Sequence, residues 1–198
     1  MKHLTIPELV AVQYDFDIVN FHANEPRLRH VGRHLGKVVG RYSGLAEQRF
    51  GHRPEVTNPA LMMDDVIPNL VYIGLQYMAV DDQYRDIAAY DDIAPTLAAG
   101  VEAERVRLAR GDVEGADSDE LLRIETGKLT EQVAAGESYG RSREITRSGL
   151  VLVRLAGRIA AEEQIETPLQ ELYVNKPRSI ANNNGTVEET EKVLERVA

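Results

Sequence analysis

Apolar residues recur every three or four positions along most of the chain, which is the spacing of one helix face. The first run is Leu9, Val12, Phe16 and Val19, and the second is Val31, Leu35, Val38, Tyr42 and Leu45. A Thr5-Ile-Pro-Glu8 capping box would begin the first helix. No stretch between turn residues shows the sustained alternation of a β-strand. The pattern therefore predicts an all-α fold.

The most apolar segment, residues 70–80, is apolar on nearly all sides, so we expect it to form the central core. Pro68 should kink or restart the helix that leads into it. Further helices are predicted over residues 81–93, 95–110, 118–135 and 142–164. Two more follow capping boxes that begin at Thr167 and Thr186. Together these segments predict a helical bundle of about seven to nine helices.

Composition narrows the class of protein. The chain has 198 residues, 43% of them hydrophobic and 28% charged, which suits a globular protein with a real core. It has no cysteine, which excludes a disulfide scaffold, thiol catalysis and cysteine-ligated metals. No apolar run is long enough for a signal peptide or a membrane span, so we expect a cytoplasmic protein with no membrane partner.

The formal net charge is −9, which argues against nucleic acid as a partner. Residues 27–53 are the exception, with seven lysines and arginines against one acid. The segment 112–117 is rich in glycine and acids, so we interpret it as a linker between a first half, 1–111, and a second half, 118–198. Gly40-Arg41 and Gly127-Lys128 suggest a weak internal repeat, although two unrelated helical hairpins would also fit.

Several segments of both halves resemble the MazG-like family of all-α nucleotide pyrophosphohydrolases. The first half contributes His34-Leu-Gly-Lys-Val-Val-Gly-Arg-Tyr42 and Val66-Ile-Pro-Asn-Leu-Val-Tyr-Ile-Gly-Leu-Gln76. The second half contributes Ile124-Glu-Thr-Gly-Lys-Leu129, Glu144-Ile-Thr-Arg-Ser-Gly-Leu-Val-Leu-Val-Arg-Leu-Ala156 and the basic helix end Leu169-Gln-Glu-Leu-Tyr-Val-Asn-Lys-Pro-Arg178. The resemblance implies that the two halves of one chain pack on each other as a pseudo-dimer. The protein would then be a monomer or a homodimer.

The family holds Mg²⁺ with four acids on two helices, and most of these acids are missing here. Lys37 and Arg41 stand at two of their positions in the first half. In the second half Glu125 matches in register and Glu144 lies one or two positions early. The resemblance therefore implies at most a reduced Mg²⁺ site on Glu125 and Glu144. The alternative is that both carboxylates form ordinary ion pairs.

Cations at the substituted positions could bind phosphate directly. Arg33, Lys37 and Arg41 recur every four residues, so they share one face of a helix. Arginine and lysine bind phosphate oxygens through charge-assisted hydrogen bonds. Asn175, Lys176 and Arg178 join this phosphate-binding set through the resemblance alone. The alternative is a solvated basic face without a ligand.

These observations leave three functions open. The first is a diverged MazG-like protein that binds a nucleotide, another phosphorylated small molecule or an acidic protein partner. The second is an active pyrophosphohydrolase whose Mg²⁺ site is rebuilt from Glu125 and Glu144, with Asp64 or Asp65, which lie near the family's metal-binding positions, as a further ligand. The third is a pure protein-interaction module. The sequence identifies no catalytic residue.

Overall fold

The computed structural model describes residues 3–21, 27–49, 60–79, 94–111, 117–134 and 142–197. These residues form eight α-helices and one π-helix: α1 (Ile6–Phe21), α2 (Arg27–Arg49), the π-helix (Met62–Val66), α3 (Ile67–Met78), α4 (Leu97–Arg110), α5 (Ser118–Ala134), α6 (Ser142–Glu162), α7 (Leu169–Asn184) and α8 (Val187–Leu194). The predicted all-α bundle of seven to nine helices is confirmed. Within the described ranges, no helix has both the length and the apolar composition needed to cross a bilayer.

Helix α3 lies at the centre of the bundle, as the apolar segment predicts. Every side chain from Ile67 to Met78 is buried, Asn69 and Gln76 among them. Helices α1, α2, α6 and α7 all pack against it. Pro68 is the second residue of α3, directly after the π-helix that ends at Val66. Because proline has no N–H to donate to the preceding turn, one hydrogen bond of the continuous helix is missing next to the widened turn.

Helices from both predicted halves contribute to one hydrophobic core. Helix α2 packs against α5, and α3 packs against α6, so the segments that we compared between the halves lie side by side. Helix α4 covers α6 and also contacts α7. The predicted helix over 81–93 and most of the predicted linker, 112–116, lie outside the described residues. The division into 1–111 and 118–198 stays a prediction.

One of the three predicted capping boxes forms. The Thr5 N–H donates to Glu8 Oε2 at 2.8 Å, and the Glu8 N–H donates to Thr5 Oγ1 at 3.4 Å. The predicted box at Thr186 was wrong, because Thr186 is the N-cap of α8 but its side chain makes no cap hydrogen bond. Helix α7 has Pro168 as its N-cap, one residue after the position that the box at Thr167 predicts. Gln170 instead accepts from the Leu4 N–H, and Thr186 Oγ1 donates to Asn20 Oδ1. These two side chains therefore form tertiary hydrogen bonds with residues at the two ends of α1.

Candidate anion-binding site

The π-helix before α3 sets the position of Asp65. The Ile67 N–H donates to the carbonyl of Met62, five residues back, which widens the turn. Asn69 then donates from Nδ2 to the Asp65 carbonyl at 2.6 Å and to Asp65 Oδ1 at 2.8 Å. Because Asn69 is fully buried, these bonds fix the carboxylate against the surface of the bundle. Widened turns of this kind are frequent at functional sites.

Cations from two other helices interact with this carboxylate, one by direct contact and one electrostatically. Arg41 of α2 forms an ion pair through Nη1 with Asp65 Oδ2. Lys176 of α7 is half-buried, and its pKa lies below the ordinary lysine value. Burial is the main cause of the lowered pKa, and the positive charge of Arg41 adds to it, whereas Asp65 opposes it. Arg41, Asp65 and Lys176 are thus electrostatically coupled, and we call them the Asp65 site.

The Asp65 site has an excess of positive charge on its exposed side. The Asp65 side chain is 18% exposed and that of Arg41 is 52% exposed, so the guanidinium is the more accessible group. Lys37 and Arg33 are exposed one and two helical turns before Arg41, on the same face of α2. One half-buried carboxylate therefore binds Arg41 and interacts electrostatically with Lys176, and two more cations lie beside Arg41 on α2. Such an arrangement attracts an anion.

The remaining predicted phosphate-binding residues lie on α7. Asn175 is exposed and precedes Lys176. Arg178 donates from Nε and Nη2 to the two carboxylate oxygens of Glu191, at 2.8 Å and 3.1 Å. This bidentate pair lowers the pKa of Glu191 and joins α7 to α8. Arg178 thus already binds a carboxylate within the chain, whereas Lys176 interacts electrostatically with Asp65 and Arg41.

The two predicted metal-binding carboxylates have different surroundings. Glu125 is buried on α5, and its Oε2 accepts from Lys128 Nζ at 3.2 Å. Glu144 is exposed in the first turn of α6. In the described part of the chain, no three or more histidine, cysteine or acidic side chains form a group that could hold a metal ion. The Mg²⁺ site on Glu125 and Glu144 stays a prediction, and Glu125 and Asp65 each have a cation as partner.

Sequence reasoning missed the residue at the centre of the site. It considered Asp65 only as an acid displaced from a metal-binding position. The available signal was the four-residue spacing of Asp65 and Asn69 around Pro68, which lets the amide bond to the carboxylate on one helix face. Sequence reasoning also assigned Arg41 and Lys176 to one function on separate grounds, and the structure places them close enough to interact electrostatically.

Comparisons of the chain with protein-family models, with curated proteins and with solved structures give no match.

Proposed function

We propose that the protein binds a phosphorylated small molecule, such as a nucleotide, at the Asp65 site and the adjoining cations of α2. The observation that supports this proposal is the ion pair of Arg41 with Asp65, together with the electrostatic interaction of Lys176 with both groups. Arg33 and Lys37 extend the same positively charged surface along α2. A polyphosphate could then contact cations on two helices at once.

The electrostatics of the site favour a ligand with several negative charges. Burial and Arg41 both disfavour the charged form of Lys176. An incoming phosphate would offset that effect and raise the lysine pKa, so binding and protonation of Lys176 would support each other. Asp65 holds Arg41 through one terminal nitrogen, which leaves the other donors of the guanidinium for phosphate oxygens. The carboxylate thereby orients the arginine before the ligand arrives.

We also propose that the chain is a diverged relative of the MazG-like family. The packing of α2 on α5 and of α3 on α6 supports this proposal, since it pairs the segments that resemble each other. Arg41 stands where the family has a metal-holding acid, and it binds the Asp65 carboxylate. A guanidinium would then supply the positive charge that Mg²⁺ supplies in the family. Binding without hydrolysis follows from that replacement.

Calorimetric titration of the full chain with ATP tests the binding proposal. EDTA should be present, so that binding is measured without Mg²⁺. Lys37→Glu should weaken binding at least tenfold, because one charge-assisted contact is worth about 1.5–3 kcal/mol. Arg110→Glu makes the same change of charge at an exposed position on α4 and should leave ATP affinity nearly unchanged. Raising salt from about 50 to 500 mM should weaken binding by the parent chain.

Assays on the same protein and variant distinguish nucleotide binding from the other two functions. Normal ATP binding by Lys37→Glu at both salt concentrations would contradict the proposed site. Pyrophosphate release from nucleoside triphosphates with Mg²⁺, at about 1 per second, would contradict a binding protein and support the active enzyme. An absence of heat with ATP, together with recovery of one stoichiometric protein partner, would contradict nucleotide binding and support an interaction module.

A further inference from the structure

A cavity of about 280 Å³ lies between α4 and α6, with Ile6 at the start of α1 on its wall. Its walls include the apolar side chains of Leu97, Leu150 and Val153. At roughly 30 Å³ for a water-sized group, the space suits about nine or ten non-hydrogen atoms. The cavity therefore has the size of a small organic molecule.

Two glycines line the cavity where α4 and α6 approach each other. A Cβ built on Gly157 of α6 would lie 3.7 Å from the Val101 nitrogen and 3.8 Å from the Gly100 carbonyl carbon on α4. Both distances are ordinary van der Waals contacts, so alanine would fit without displacing the backbone. Packing alone thus does not require glycine at position 157. The absent side chains leave space between the helices.

Charged side chains also line the cavity. Glu104 of α4 is only 7% exposed and accepts from Arg107 Nη1 and from Arg154 Nε, both at 3.0 Å. Arg147 of α6 is a further lining residue and is exposed. Two guanidinium groups therefore bind Glu104 and a third lines the same cavity, which gives an excess of positive charge next to an apolar space. Arg154 binds Glu104 through Nε, so its two terminal nitrogens remain available to another acceptor.

We propose that this cavity binds a small apolar carboxylate of about ten non-hydrogen atoms. Its hydrocarbon part would occupy the apolar space beside Gly100 and Gly157, and its carboxylate would bind Arg147 and Arg154. An apolar wall with a few convergent polar groups is the usual character of a small-molecule site. Arginine suits a carboxylate because its planar fork can donate two parallel hydrogen bonds. This site is distinct from the Asp65 site and needs no phosphate.

Calorimetry with octanoate, which has ten non-hydrogen atoms, tests the proposal on the full chain. Octanoate should bind with a dissociation constant below about 1 mM. Octanol and octylammonium share its hydrocarbon tail but should bind at least tenfold more weakly, because they lack the negative charge. Octyl phosphate tests whether the head group must be a carboxylate. Equal affinity for octanol, stronger binding of octyl phosphate, or no heat with octanoate would each overturn the proposal.

Variants of residues that line the cavity test whether octanoate binds there. Arg147→Gln should weaken octanoate binding at least fivefold, and it leaves both partners of Glu104 in place. The pair Gly100→Ala and Gly157→Ala adds two methyl groups to the cavity and should also weaken binding. Gly36→Ala with Gly127→Ala is the matched control, since a Cβ at either position meets nothing within 4 Å. Unchanged octanoate affinity in the cavity pair, with a normal melting curve, would contradict the site.

ATP titration separates this proposal from the preceding one. If octanoate binds in the cavity, Arg147→Gln should leave ATP affinity unchanged, and Lys37→Glu should leave octanoate affinity unchanged. Loss of octanoate binding in Lys37→Glu would place the carboxylate at the Asp65 site and overturn the cavity proposal. Failure of ATP to bind would contradict only the phosphate-binding proposal.

Discussion

Gly74 of α3 and Gly149 of α6 lie against each other where the two central helices cross. A Cβ built on Gly74 would come within 2.7 Å of the Gly149 carbonyl oxygen, and one on Gly149 within 2.5 Å of the Gly74 carbonyl oxygen. Each glycine also lies against a side chain one turn further along the partner helix. Gly74 lies against Val153 of α6, and Gly149 lies against Met78 of α3. The absence of two side chains therefore sets the distance between α3 and α6.

Alanine at either glycine should destabilise the bundle. Gly74→Ala and Gly149→Ala each place a methyl group against a backbone carbonyl that cannot rotate away, so we expect a loss of about 2–3 kcal/mol in unfolding free energy. Urea unfolding measures this loss of unfolding free energy. The control Gly127→Ala should be neutral or stabilising by up to about 1 kcal/mol, because alanine favours helices and its Cβ meets no neighbour. Equal stability of Gly74→Ala and Gly127→Ala would contradict the close crossing.

A buried polar network joins three helices and predicts a second stability effect. Asp17 Oδ1 accepts from Gln13 Nε2 at 2.9 Å and from Gln76 Nε2 at 3.0 Å, and Tyr173 donates to Gln13 Oε1 at 3.1 Å. Gln76→Met preserves the shape of the side chain but removes a donor from a fully buried acid. We expect a loss of about 2 kcal/mol, measured by urea unfolding.

An exposed glutamine provides the control for this network. Gln164→Met makes the same chemical change at an exposed residue with a φ of 54°, and because both side chains are unbranched at Cβ it should shift stability by under about 0.5 kcal/mol. If Gln76→Met were as stable as Gln164→Met, the hydrogen bond to Asp17 would contribute nothing to folding.

The lowered pKa of Lys176 predicts a pH-dependent gain from removing its charge. Between the folded pKa and the ordinary value of about 10.5, the unfolded chain binds more protons than the folded chain. Stability of the parent should therefore rise with pH through that window. Lys176→Met, which keeps much of the aliphatic stem, should be more stable than the parent at pH 7. The advantage should shrink as the pH approaches 10.5.

Urea unfolding of both chains at pH 7, 9 and 10 measures the difference. Lys192→Met on α8 removes an exposed lysine that pairs with Glu188 and should change stability by under about 0.5 kcal/mol. An advantage of Lys176→Met that grew with pH would contradict the lowered pKa. So would a parent that is more stable than this variant at pH 7.

The sequence by itself determined the class of fold and much of the local structure. Helical periodicity and capping act within about four residues, so the Thr5 capping box, the all-α fold and the buried helix near Leu70 could be predicted from the chain alone. The same local rule placed Arg33, Lys37 and Arg41 on one face of α2. Each of these features needs only neighbouring residues.

Only the tertiary structure decided which of these residues lie close together. Arg41, Asp65 and Lys176 lie on three separate elements, and their electrostatic coupling depends on how α2, the π-helix before α3 and α7 pack. Arg178 has the same charge as Lys176 two residues away, yet it binds Glu191 because α8 packs there. The contact of Gly74 with Gly149 and the cavity beside Gly100 and Gly157 also arise at helix crossings. Local periodicity does not fix such crossings, because many helix arrangements bury the same apolar faces.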